Sequence, residues 1–446
     1  MMYYGLLAFF ILEYVRPATF IPGLYLLKLN SLVPLGVGLA NLVDDKKATN
    51  AEIWAETTAK LVLGIFALLV IHVPFADVTK YAWDNMTFVA GFILVFWVLA
   101  KQLDTIQKIK GVFKALVIAH ILVAATTPEM FTDTAGRHYL AAGSFLGDGN
   151  DFALSVNLAA AFGLFLLYDA RRAVWRLLAL AALVILVACV ILTQSRGGTL
   201  ALAATVLYFW ARSDKKVVTA GLGAVGLVGV LLMAPPEYFN RMNQISAEEG
   251  SAQGRILAWK AAGRMVASNP ILGVGSGHFP VAYGTRFRPP GGEEVGWQTA
   301  HSVYFLVLGE LALPGIYLYL ALIISNLVQN QRLGKALQTH DPPLALRHRR
   351  LLASTSAAMI AFAVGGAFLS AAYYPHIFMV SGLMLATRRV IRRDNAAALG
   401  APTAAPAPTS ATPVSPLLLP RPGQARTGSA ARQPVGPMPA SRGLVR

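Results

Sequence analysis

Charge is scarce in this chain. Lys, Arg, Asp and Glu make up 13% of 446 residues, where a soluble domain carries about a quarter. Too few charges remain to cover a water-facing surface. Acidic residues are scarcest, 22 against 38 Lys and Arg. Cysteine occurs once, at Cys189 inside an apolar run, which excludes an intramolecular disulfide and a thiolate-based metal site. It reads as a small buried apolar residue.

What is present instead is apolar length. Hydrophobic residues reach 56% and the mean hydropathy is +0.55. The apolar runs lack the polar stripe of a surface helix, so lipid is the natural solvent for their outward faces. A bilayer core about 30 Å thick needs roughly 20 residues per crossing. The fold class expected is all-α: a polytopic integral membrane protein with about twelve transmembrane helices. The segments are 3–15, 24–43, 54–74, 83–100, 111–126, 152–169, 174–193, 198–211, 216–233, 302–327, 351–370 and 376–391. The N-terminal MMYYGLLAFFILEY has neither a basic n-region nor a small-residue cleavage site, and is expected to be a retained first helix.

The net charge of +16 raises the question of nucleic acid, but the cations sit in short clusters between apolar runs, as topology signals do. Alternate connections hold Lys46 and Lys47; Lys101, Lys108 and Lys110; Arg171 and Arg172; Arg212, Lys215 and Lys216; Arg332 to Arg350; and Arg388, Arg389, Arg392 and Arg393. The other connections hold isolated cations such as Arg16, Lys80 and Arg137. The positive-inside rule then places both termini in the cytoplasm and the long segment 234–301 outside. That segment carries Arg241, Arg255, Lys260, Arg264, Arg286 and Arg288, nearly balanced by five glutamates. Long loops translocate regardless of charge. The domain reading is 1–392 as the membrane domain, with the outer loop at about 234–301. Residues 393–446 form a basic, Ala/Pro-rich cytoplasmic tail, too poor in apolar side chains to offset its ordering entropy.

Four outward-facing stretches carry chemistry. In Thr193-Gln194-Ser195-Arg196-Gly197-Gly198 an arginine stands in the turn between two apolar runs. It either snorkels or binds an anion, and glycines beside it let backbone approach closely. Residues 254–266 read as an amphipathic helix ending at Ser268-Asn269-Pro270. Arg255, Trp259 and Ala262 share one of its faces, and Arg264 points about the opposite way. Arg255 is the better anion ligand, because the helix N-terminus adds backbone donors. Gly273-Val274-Gly275-Ser276-Gly277-His278-Phe279 follows a helix rather than a strand and lacks a Walker lysine, so it is a tight irregular turn and not a nucleotide loop. His301-Ser302, where the chain re-enters the membrane, places an imidazole for proton transfer. Glu310 lies about 13 Å deeper by helix rise, followed by Leu313-Pro314-Gly315. Tyr373-Tyr374-Pro375-His376 reads as an interfacial aromatic belt. The scattered His138, His278, His301 and His376 lack zinc-site spacing, so no metal is expected.

Together these pieces resemble the O-antigen ligase and O-antigen polymerase superfamily of bacterial envelope glycosyltransferases. The resemblance rests on Ser195-Arg196-Gly197, Arg255…Trp259, Asn269 through Phe279, and His301-Ser302…Gly309-Glu310-Leu311…Pro314-Gly315. Gly143-Ser144-Phe145…Asn150-Asp151-Phe152-Ala153 and Phe368-Leu369-Ser370 extend it. Many relatives carry Asn where Ser302 stands. The resemblance implies an inner-membrane enzyme, active on the periplasmic side. It would move a glycan from undecaprenyl pyrophosphate to a lipid A–core hydroxyl, with inversion and without cofactor, nucleotide or metal. His301, Arg196 and Arg255 are then the expected catalytic residues. Ser195, Gly197, Arg264, Trp259, His278 and Glu310 are the expected substrate-binding ones. Membrane lipids, the carrier-linked donor and the glycan acceptor are the expected partners. The alternatives are a polymerase joining carrier-linked repeats, a protein O-oligosaccharyltransferase, and a transporter of an anion or lipid-linked sugar. A transporter would hold its ionisable groups near the midplane, whereas here most of them cluster at the outer face, with Glu310 the main exception.

Overall fold

The structure, a computed structural model, describes residues 2–19, 21, 23–42, 50–127, 145–147, 149–217, 219–221, 223–224, 229, 250–290, 296–337 and 342–396. The chain divides into two units, 1–401 and 402–446, and the second lies outside the described residues.

The described fold is all-α and polytopic, with no strand among the described residues. The helices are α1 (Met2–Val15), α2 (Leu29–Leu42), α3 (Asn50–Ala55), α4 (Thr57–Phe75), α5 (Thr79–Gln102), α6 (Ile106–Thr126) and α7 (Gly149–Asp169). They continue with α8 (Ala173–Leu192), α9 (Arg196–Arg212), α10 (Gly250–Ser268), α11 (Phe279–Ala282), α12 (Val303–Ala336), α13 (Pro342–Gly366) and α14 (Pro375–Asp394). Six of them, α4 to α8 and α12, are long and apolar enough to cross a bilayer. Eleven of the twelve segments expected from hydropathy coincide with helices; 216–233 falls largely outside the described residues. The tail expected over 393–446 also does, since α14 runs to Asp394.

Two helices form the centre. Every residue of α7 from Phe152 to Gly163 is buried, and so is every residue of α14 from Pro375 to Arg388. A helix buried on all sides needs small residues where neighbours cross. The run Ala159-Ala160-Ala161 in α7 and Ser381-Gly382 in α14 supply them, with Gly382 against the backbone and side chains of α5. α8, by contrast, exposes Val174, Trp175, Leu177 and Leu178, as a lipid-facing helix does.

Contacts sort the connections into two ends, as the alternation of charge requires. At the cation-rich end, Asp169 accepts a paired contact from Arg347 (2.6 and 3.2 Å) and one from Lys110. Arg392 meets Glu56 at 2.8 Å there, and Arg389 bonds the Ala100 carbonyl. Arg388 departs from the topology-signal reading. It is fully buried, with its guanidinium on Thr58 Oγ1 (2.7 Å), Asn330 Oδ1 (3.0 Å) and Asn326 Oδ1 (3.1 Å). It joins α4, α12 and α14, an arrangement a purely topological cation does not need. The opposite, cation-poor end gathers 76–78, 193–195, 269–290, 296–302 and 367–374.

Candidate active site

At the cation-poor end, helix α12 is broken. Ala312 has φ 52° and ψ −150°, and Pro314 has no N–H to give. An unbroken helix would send Leu313 N–H to the Gly309 carbonyl, and a residue with an N–H at 314 would reach Glu310. The break therefore frees two carbonyls and one N–H at membrane depth, where water does not replace lost bonds. The glycine-rich turn takes up all three. Val274 N donates to Gly309 O (3.0 Å), Gly275 N to Glu310 O (3.1 Å), and Leu313 N to Pro270 O (3.2 Å). Such close backbone contact explains Gly273: its φ is +65°, and a Cβ there would lie 2.5 Å from Gly309 O and 2.7 Å from Glu310 O. The turn is thus seated on the broken helix.

The Glu310 carboxylate completes the junction. Its oxygens accept from Gly277 N (2.9 Å), Phe279 N (2.8 Å) and Tyr373 Oη (2.7 Å). Its pairing with Tyr373 takes that residue out of the aromatic belt to which sequence reasoning assigns it. On the other side, His72 Nε2 meets Leu272 O at 2.7 Å, and Val78 N donates to His278 Nε2 at 3.0 Å. The α4–α5 turn and α12 hold the glycine turn between them, and an Arg286–Asp77 ion pair adds to the clasp. His278 and Glu310, both expected among the substrate-binding residues, are buried and have partners within the protein. Glu310→Gln is expected to leave one of the two backbone N–H groups facing an amide NH₂. The loss is about 1–3 kcal/mol of stability, read as a lower melting temperature of the purified protein in detergent; an unchanged melt would contradict this role.

The remaining expected residues lie above this junction. α10 ends at Ser268, where the sequence predicts, but begins at Gly250, four residues before the expected Gly254. Arg255 therefore sits in the second turn of the described helix and not at its first residue. What places Arg255 is its face. One residue before it, Gly254 lies against the Gln298 side chain; a Cβ there would be 2.9 Å from the Gln298 amide nitrogen. One turn after it, Trp259 Nε1 donates to Ala300 O (3.0 Å), and its indole stacks on Phe305 at 4.9 Å and 11°. α10 thus runs along 298–300, beside His301. Arg264, on the other face, is exposed and donates to Arg288 O at 3.2 Å.

Arg196 approaches from the opposite side. Ser195 caps α9, its Oγ accepting from Gly198 N (3.1 Å), the usual use of a serine at that position. Asn157 Nδ2 donates to Gly198 O (3.0 Å), and a Cβ on Gly198 would lie 2.6 Å from the Ala153 Cβ, so the turn is pinned to α7. Gly197 packs on Phe368, 3.1 Å from where its own Cβ would be. Two residues later in the same α13–α14 connection, Ser370 Oγ accepts from His301 N (2.8 Å) and Thr299 Oγ1 (2.9 Å). The Arg196 turn and His301 are therefore joined through residues 368–370, and Arg255 through 298–300. Arg196, Arg255 and His301 are all half-buried at this lip.

Sequence reasoning gave no role to His72 or Asn157, and to Tyr373 only a place in an aromatic belt. Their partners are 41 to 200 residues away, beyond any local pattern.

Residues 181–320 match the family model described as O-Antigen ligase. The match runs from within α8 to within α12 and contains all nine expected site residues; Ser370 and Tyr373 lie outside it. No curated protein matches the chain. Through this segment the chain is similar to the O-antigen ligase-like superfamily. The match supports glycosyltransferase activity of the ligase or polymerase type, with lipid-linked glycans as the substrate class.

Proposed function

We propose that this protein is an O-antigen ligase-type glycosyltransferase of a bacterial inner membrane, with the cation-poor end facing the periplasm. It transfers a glycan from undecaprenyl pyrophosphate to a sugar hydroxyl of lipid A–core. The reading is carried by two arginines and a histidine on three segments that are tied to one another at the cation-poor end.

The chemistry follows from these groups. As the anomeric C–O bond breaks, negative charge grows on the departing pyrophosphate. Arg196, at the N-terminus of α9, and Arg255 on α10 take that charge by paired N–H contacts, adding the helix dipole in the first case. The acceptor oxygen attacks the same carbon from the opposite face, inverting it, and His301 accepts its proton. Because the cations lie at the lip, the pyrophosphate stays at the headgroup level while its polyprenyl chain remains in lipid. Trp259, Ser195, His278 and Glu310 act by holding the frame. Gly197 sits in the turn beside Arg196.

A polymerase would need two carrier-linked substrates, and a transporter would leave the glycan on its carrier. The lipopolysaccharide profile of a strain lacking this protein separates the first two. Loss of all long chains with carrier-linked polymer accumulating supports the ligase; accumulation of single repeats replaces it with the polymerase.

A further inference from the structure

We infer that Ser370 is a positioning residue for His301. The inference rests on the proposed base role of His301 and assigns the side chain that sets its backbone.

His301 has φ +47°, the left-handed region, which is strained for a residue with a Cβ. It follows the irregular segment 298–300 and precedes Ser302, which is extended at φ −160° and starts α12 without a side-chain cap. A single residue thus turns the chain from loop to helix, and its strained backbone must be held from outside. Trp259 and Ser370 hold it. Trp259 Nε1 fixes the carbonyl of Ala300, the residue before. Ser370 Oγ fixes the N–H of His301 itself, and its second lone pair takes the Thr299 hydroxyl. With the backbone N pinned and φ fixed, the direction of the Cα–Cβ bond is fixed, and so is the cone from which the imidazole reaches the acceptor.

Ser370 is suited to this by where it sits. The connection that carries it also presses Phe368 on Gly197 and sends Tyr373 Oη to Glu310. One eight-residue stretch, 367–374, therefore touches the arginine turn, the histidine turn and the broken helix. It sets the distance between the cation that receives the leaving group and the base that activates the acceptor. Ser370 is half-buried and makes no contribution to the membrane core, so its replacement leaves the fold standing.

The test is steady-state transfer by the purified full-length protein, with undecaprenyl-pyrophosphate-linked glycan as donor and lipid A–core as acceptor. Ser370→Ala is expected to lower kcat about 10- to 100-fold, the cost of a misplaced reacting group, with KM for the donor within about twofold of wild type. Ser370→Thr, which keeps the oxygen, is expected to recover activity; Ser370→Val, its isostere without the oxygen, is not. In the His301→Ala background Ser370→Ala is expected to cost nothing further, because both changes remove the same function. Equal activity of the Thr and Val variants, or a multiplicative loss in the double mutant, overturns the inference. If His301→Ala is itself fully active, the base role falls first. If His301→Ala is inactive while Ser370→Ala and Ser370→Val match wild type, only the positioning role falls.

Discussion

Arg196→Ala is expected to lower transfer by about 10²–10³-fold, the usual cost of removing one donor from a preorganised charge-stabilising set, while the protein still folds. The separation of the two effects comes from how the turn is built. Its shape depends on Ser195 Oγ capping Gly198, on Asn157 holding the Gly198 carbonyl, and on glycines that let α9 approach α7 and Phe368. None of these uses the guanidinium. Truncation at 196 thus removes charge from the mouth of the site and leaves these supports in place. Arg196→Lys keeps the charge but presents a compact ammonium in place of a planar fork, so it is expected to fall between wild type and alanine. Initial rates, alongside the melting temperature of each variant, check both. A wild-type rate for Arg196→Ala would remove the arginine from the reaction.

His301→Ala is expected to reduce kcat by about 10²–10⁴-fold, the range for loss of a positioned general base. The backbone of residue 301 is held through its own N–H by Ser370 and through the preceding carbonyl by Trp259. Removing the imidazole therefore leaves both of these backbone contacts in place. His301→Gln distinguishes a base from a binding group, since glutamine makes hydrogen bonds but accepts no proton near neutral pH. Glutamine is expected to be as inactive as alanine. Activity near wild type in the glutamine variant would make His301 a substrate-orienting residue, with the proton taken elsewhere.

The helices were legible because each is a local property: a run of apolar residues bounded by polar or charged ones. The end of α10 at Ser268 was legible for the same reason, with Asn269-Pro270 directly after it. Its beginning was not, since Gly250 to Gln253 carry neither a capping pattern nor apolar periodicity. Pro314-Gly315 stands inside 302–327, which the sequence presents as one crossing. That the break lies at Ala312, and that its freed carbonyls are met by Val274 and Gly275, follows from pairing across the fold. Glu310 shows the same limit. Burial in the membrane made it a paired or functional group on sequence grounds, but nothing near it in the chain names Tyr373 as a partner 63 residues on. Arg388 looked like one more cytoplasmic cation until its neighbours on α4 and α12 enclosed it. The candidate site divides in the same way. Residue types and their order pointed to Arg196, Arg255 and His301. The connection 367–374 that joins two of them carries no charge at all and offers only a hydroxyl, two phenols and a ring.

The most direct test of the central claim is made with the purified protein in sealed proteoliposomes, supplied with undecaprenyl-pyrophosphate-linked glycan and lipid A–core. The account predicts that the glycan becomes covalently joined to the core sugar, with undecaprenyl pyrophosphate released one for one. It also predicts that this activity is lost in the Arg196→Ala and Arg255→Ala proteins. Carrier-linked glycan appearing unchanged on the far side of the bilayer, with no new glycosidic bond, would contradict it.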